Sequence, residues 1–194
     1  ALFKDDLKAL LAYSTVSYLG AITMLLGLGT PLAVVAALFF LLNHAVYKAA
    51  LFLSAGVVDH EVGSRDLREL GGIARYMPLT ATMAAIAAAS MAGLPPLNGF
   101  VAKEMLLEVA APTVYAGQAW LFPVLVTVAA LLAVAYAGRF ALGTFFGPTK
   151  ALLTHPPHDP PFGMWAPIAV LVVLAVLIGL APGVMSGRLL ELAS

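Results

Sequence analysis

The side chains able to do chemistry in this chain are a few ionisable groups set among apolar residues. They fall in two clusters. "NHAVYK" carries Asn43, His44, Tyr47 and Lys48, and "GLPPLNGFVAKE" carries Lys103 and Glu104 directly after a proline-glycine break. His44 and Lys48 are four residues apart, so on a helix they share one face, roughly 6 Å apart along the axis. An ammonium held out of water gives up its proton more readily, and imidazole titrates at about 6.5. A His-Lys pair at this spacing suits proton passage, with Tyr47 and Asn43 adding polar atoms beside it. The alternative is that Lys48 snorkels to an interface and His44 packs on a neighbouring helix. Against it, ten apolar-rich residues separate Lys48 from Asp59 and seventeen, counted from Pro31, precede it.

In the second cluster, Pro95 and Pro96 lack backbone donors and clash with the preceding turn. The helix is expected to break near Gly93, through Pro95, Pro96, Asn98 and Gly99, and to resume at Phe100. Irregular backbone at membrane depth is tolerated only where protein buries it or it lines a cavity, and broken helices hold ion and substrate sites in secondary transporters. Lys103 is expected on the first turn of the resumed helix, where the positive end of the dipole disfavours a cation and welcomes Glu104. This reads as a proton-carrying lysine tuned by its acidic neighbour. A blander reading is a proline-ended helix followed by an interfacial one, with Lys103, Glu104 and Glu108 among headgroups. It leaves the segment before the break too short to span.

The remaining candidates are weaker. Ser14, Thr15 and Ser17 either hydrogen-bond within the bundle or line a wet path, and Lys8 is either an interface anchor or the cytoplasmic end of a proton route. "HPPHD", from His155 to Asp159, has two histidines three apart in a proline-rich loop without a third ligand, so it reads as solvated loop, and no metal or other cofactor is expected. The chain has no cysteine, which excludes thiolate chemistry and disulfides. It has no nucleophile elbow, P-loop or dinucleotide fingerprint, so no enzyme active site is expected.

The elements that must position these groups are membrane helices. Of 194 residues, 62% are hydrophobic and 10% charged, with a mean hydropathy of +0.99. Soluble domains carry roughly 25% charged residues. Zero formal net charge argues against nucleic-acid binding. The fold expected is all-α, a polytopic transmembrane bundle in one membrane domain over residues 1–194. Apolar segments fall at about 7–28, 31–58, 78–92 with its continuation 100–111, 120–146 and 164–181, which makes five crossings, one of them discontinuous. Residues 59–77 form a polar connection holding seven of the twenty charges, in which "SRDLREL" suits a short surface helix. On this count Lys4, Lys8, Arg65, Arg68, Arg75, Arg139 and Lys150 lie on the side of the first residue and Arg188 alone on the other. That side is expected to face the cytoplasm of a cell membrane. The chain opens "ALFKDDLKALL" without an initiator Met or a basic n-region, and reads as the interior of a longer protein.

"DDLKALLAYSTVSYLG", "LNHAVYKAALFLSAGVVDHEVGSRDLRELGGIARYMP" and "SMAGLPPLNGFVAKE" together resemble the proton-translocating, antiporter-like membrane subunits. That family is shared by Mrp-type multisubunit Na+/H+ antiporters and the membrane arm of respiratory complex I. "VDHEVGSRDL" and "LPPLNGFVAKE" are most similar to its large Mrp A-subunit branch. The motifs cover residues 1–108; beyond them only hydropathy agrees. The resemblance implies a core of fourteen helices built from two inverted five-helix repeats, each with a broken helix, and a mid-membrane proton axis of lysines, histidines and glutamates. It places the switching lysine at Lys103, its acidic neighbour at Glu104, the axial histidine at His44, an axial lysine at Lys48 and a further motif lysine at Lys8. Phe40 stands where complex I relatives often have a second histidine. The first repeat and a long C-terminal extension are expected elsewhere, so the chain alone is not expected to transport. The implied partners are other membrane subunits, the missing N-terminal half, the lipid bilayer, protons and Na+. Two rival readings are a proton-pumping subunit of a redox-driven complex and a non-transporting structural subunit.

Overall fold

The structure is a computed structural model that describes residues 1–148 and 156–183. The described residues form six α-helices: α1 (Leu7–Gly27), α2 (Pro31–Val62), α3 (Pro78–Ala92), α4 (Asn98–Ala110), α5 (Leu121–Phe145) and α6 (Phe162–Leu180). Of these, α1, α2, α5 and α6 are long and apolar enough to cross a membrane. At ~1.5 Å per residue, α3 reaches only about 22 Å, short of a hydrocarbon core of roughly 30 Å. With α4 following the break, the pair has the length a crossing needs. The protein is a multi-pass helical membrane bundle, as the composition requires.

Capping residues start the first two helices where the sequence places them. The Asp6 carboxylate accepts from the Ala9 N–H at 2.8 Å, and the Thr30 hydroxyl accepts from Ala33 N–H at 3.2 Å with Pro31 at the first helical position. α2 runs four residues beyond its expected end at 58 because Gly63, at φ 75°, is the first residue able to close it in the left-handed conformation. α2 is also the central post. It packs against α1, α3, α4 and α6, and 56% of its apolar window is buried, against 22–33% for the other spans.

The surface helix expected in "SRDLREL" does not form. Residues 66–69 are a turn, and the connection holds only a 3-10 turn at Ile73–Arg75. Asp66 competes with the helix: its side chain accepts the Arg68 N–H at 2.9 Å and pairs with the Arg68 guanidinium at 2.6 Å. Those contacts hold the Asp66 carboxyl down at about 2, so the turn keeps its ion pair until acid reaches that range. The connection then docks on the N-terminal residues. Leu7 N–H donates to Arg65 O at 2.9 Å, Leu67 N–H donates to Asp5 O at 2.8 Å, and Arg65 pairs with Asp6 at 2.5 Å. Arg139 at the end of α5 pairs with Asp5, and Gly72 N–H reaches Phe146 O at 3.2 Å. These contacts gather the charged residues at one end of the bundle, the arrangement the distribution of basic residues implies. Lys150 and Arg188 lie outside the described residues.

α3 begins at Pro78 with no capping side chain of its own. Asp159 supplies one from 80 residues away, accepting from Leu79 N–H at 3.0 Å, Thr80 N–H at 2.9 Å and the Thr80 hydroxyl at 2.8 Å. The loop read as merely solvated therefore holds the start of the broken helix; His155 lies outside the described residues. Asp159→Ala should lower the stability of the detergent-solubilised full-length protein by about 1–2 kcal/mol, read as a reduced thermal midpoint, with Asp159→Asn retaining most of it.

Candidate functional site

A helix that ends inside a membrane leaves four carbonyls without intrahelical donors. At the end of α3 all four are taken. Gly93, at φ 85°, turns the chain so that its N–H meets Ser90 O at 2.9 Å and the Leu94 N–H meets Ala89 O at 3.0 Å. The Tyr18 hydroxyl donates to Met91 O at 2.6 Å, and the Lys103 ammonium donates to Ala92 O at 2.6 Å. Across the break, the Ser90 hydroxyl donates to Asn98 Oδ1 and accepts the Gly99 N–H at 3.2 Å, so the last turn of α3 caps the first turn of α4. A Cβ at Gly99 would overlap the Ser90 carbonyl, and one at Gly179 on α6 would overlap the Pro96 carbonyl. The break is thus closely packed on both sides. It runs from Gly93 to Leu97; Asn98 and Gly99, expected within it, already belong to α4.

The position of Lys103 corrects the expectation about its electrostatics. It is the sixth residue of α4, on the second turn, and its side chain runs back along Gly93 to the carbonyl end of α3. The nearest dipole terminus is therefore negative, which favours a cation where the sequence implied the opposite. Glu104 is exposed and forms no hydrogen bond or ion pair among the described residues, so the two neighbours do not pair. Adjacent positions on a helix point about 100° apart.

On α2, His44 and Lys48 are both 5% exposed. Lys48 does not snorkel. Its ammonium turns into the bundle and donates to Leu11 O at 3.1 Å and to the Ser14 hydroxyl, which itself donates to Leu11 O at 2.8 Å. Ser14 is thus a direct partner of Lys48. Asn43 donates to Phe39 O at 2.7 Å, while its Oδ1 and His44 Nε2 are buried without a partner among the described residues.

Sequence reasoning missed the residue joining these clusters. Tyr18 stacks on His44 with ring centres 5.2 Å apart, meets Tyr47 at 5.9 Å and Tyr136 at 6.4 Å, and lies under the Lys48 ammonium at 5.7 Å. One helical turn separates it from Ser14, a spacing the sequence contained without saying which face was inward. Tyr18, Tyr136, Lys103, Glu104 and Ser17 line a cavity of about 330 Å³ bounded by α1, α4 and α5. Tyr47 is buried against His44 and Tyr18 and does not line that cavity. Lys8 stands apart at the charged end, paired with Asp59 at 2.6 Å. Thr15 donates to Leu11 O at 2.9 Å within its own helix.

Comparison with known proteins is consistent with the motif resemblance and extends it past residue 108. The family described as "NADH:quinone oxidoreductase/Mrp antiporter, TM" matches residues 1–133. The probable K(+)/H(+) antiporter A/B-subunit of Rhizobium meliloti is 49% identical over 100% of this chain, which spans 19% of that relative. The Na(+)/H(+) antiporter A-subunit of Bacillus subtilis is 39% identical over 98% of this chain and 26% of its own length. Among solved structures, the Mrp complex from Dietzia sp. DQ12-45-1b aligns with a TM-score of 0.84 at 39% identity, over 99% of this chain and 20% of that one. Respiratory complex I from Thermus thermophilus aligns with a TM-score of 0.85 at 28% identity, over 99% of this chain and 39% of that one. The chain thus spans well under half the length of each relative.

Gly93 serves two needs at once, a left-handed backbone and room for lysine: a Cβ there would lie 2.6 Å from Lys103 Cδ. Gly93→Ala should destabilise the full-length protein by about 1–2 kcal/mol from backbone strain alone, with a further loss from displacing Lys103. In a Lys103→Ala background the same change should cost less, a non-additivity that a double-mutant cycle of thermal unfolding measures.

Proposed function

This chain belongs to the NADH:quinone oxidoreductase/Mrp antiporter transmembrane family, and on that premise we propose that it forms part of the proton-translocating subunit of a cation/proton antiporter. The observation that carries the reading is a pair of lysines inside the bundle with no carboxylate among the described residues to neutralise them. Lys48 and Lys103 are held by carbonyl and hydroxyl oxygens. An ammonium in such a setting costs several kcal/mol relative to water, and intramembrane ionisable groups of this kind mark ion and proton routes. A lysine that loses its proton there escapes the cost, which is the property a proton carrier needs.

In this reading Lys103 carries the proton at the break, with Ala92 O as its resting acceptor. His44 and Lys48 form the relay, with Ser14 and Leu11 O holding the Lys48 ammonium. His44 Nε2, without a partner among the described residues, takes or gives a proton through water. Glu104 acts through the shared cavity at longer range than a direct pair, and Ser17 lines the same space. Lys8, tied to Asp59, marks the charged end of the route. That end faces the cytoplasm of the cell membrane. The exchanged ion is an alkali cation, K+ or Na+, moved by the intact protein with its missing N-terminal half and other membrane subunits as partners. The chain is a component of a secondary transporter. The fold also fits a proton-pumping subunit of a redox-driven complex; the higher identity to antiporter subunits favours exchange.

In everted vesicles holding the intact complex, addition of NaCl or KCl should dissipate a respiration-generated pH gradient. Lys103→Ala should abolish that response and Lys48→Met should reduce it, with complex assembly unchanged; a normal response from Lys103→Ala would overturn the assignment. Glu69, exposed in the polar connection, tests the orientation. In intact cells, a Glu69→Cys side chain should resist a membrane-impermeant thiol reagent and react once the cytoplasmic face is opened.

A further inference from the structure

The two basic clusters do not touch, yet one side chain reaches both. Tyr18 is 5% exposed and sits on α1 between α2 and the break. Its ring lies against His44 and beneath the Lys48 ammonium, while its hydroxyl holds Met91 O. Met91 O and Ala92 O are consecutive carbonyls of one helical turn, and the second is the acceptor of Lys103. A displacement of that turn at Met91 must move the Lys103 acceptor as well, because one peptide unit separates them. The ring also forms part of the wall of the cavity that Lys103 lines.

We propose that Tyr18 is the positioning residue that couples the His44–Lys48 relay to the break. This inference rests on the reading that Lys103 and the relay move protons. A charged Lys48 is attracted to the face of the Tyr18 ring, and a neutral one is not. The ring position therefore senses the proton on Lys48, and the hydroxyl passes that information to the turn holding Lys103. The groups facing Tyr18 are His44, Tyr47 and Lys48 from α2, Tyr136 from α5, and Lys103 with Glu104 across the cavity from α4. Of the three tyrosines, Tyr18 alone donates to the backbone of α3 among the described residues, so the other two do not replace it.

The test uses the full-length complex in everted vesicles and records cation-dependent exchange over a pH series. Tyr18→Phe keeps the ring and removes the bond to Met91 O; it should assemble with a lowered thermal midpoint and shift the pH of half-maximal exchange by about half a unit or more. Site-specific 3,5-difluorotyrosine at position 18 keeps ring and hydroxyl and makes the hydroxyl more acidic, so it too should shift the profile without affecting folding. A purely structural tyrosine would leave the difluorotyrosine profile on top of the wild type, and that result overturns the proposal. Lys103→Ala, run in parallel, separates the two readings. If it retains exchange, the proton-carrying role fails; if it abolishes exchange while the position-18 profiles superimpose, the coupling role of Tyr18 alone fails.

Discussion

A backbone that stops being helical inside a membrane has no water to complete its hydrogen bonds, and each unmet group there costs several kcal/mol. The arrangement around the break follows from that constraint. Glycine at 93 is needed to fold the chain back on its own carbonyls, and Ser90 is needed to reach the first amides of α4. The two carbonyls left over must find donors from outside the helix, and those donors are Tyr18 and Lys103. Lys103 is therefore both a structural cap and an ionisable group. A side chain with both duties ties its protonation to the shape of the break.

The same constraint explains why α3 is anchored at each end by an ionisable residue from another part of the chain. Asp159 closes its amide end and Lys103 its carbonyl end, each complementing the sign of the helix dipole. A fifteen-residue apolar helix with alanine at seven positions has few large side chains to lock it in place. Polar contacts at its ends, with close packing of Gly179 against the break, do the positioning that bulky residues do elsewhere. At the opposite extreme, α2 is held along much of its length by buried Phe39, Phe40, Leu51 and Val58, which makes it a rigid support for His44 and Lys48.

Ion pairs are segregated from this interior. Lys8, Arg65, Arg68 and Arg139 find carboxylates at the charged end, where water screens what the pairs do not cancel. Lys48 and Lys103 find none among the described residues. That contrast separates the basic residues that tie the charged end together from the two we propose as proton carriers.

Hydropathy and punctuation were enough to place the membrane helices, though not the end of α2 or the fate of "SRDLREL", because lipid demands long apolar runs and because proline and glycine act on the backbone of their own residue. Asp6, Thr30 and Gly63 cap helices by local rules, and Pro95 with Pro96 announces the interruption of α3 and α4. Burial of Lys48 and His44 was also legible, from their depth within one apolar run. What sequence could not supply is direction. Whether Lys103 reaches forward to the amide end of its own helix or back to the carbonyl end of another depends on how α3 and α4 meet. The pairing of Lys48 with Ser14, the cap lent by Asp159 and the bridge made by Tyr18 join residues 34, 80 and 73 positions apart. No local propensity encodes such distances. They are decided by which faces pack together, and only the folded bundle determines that.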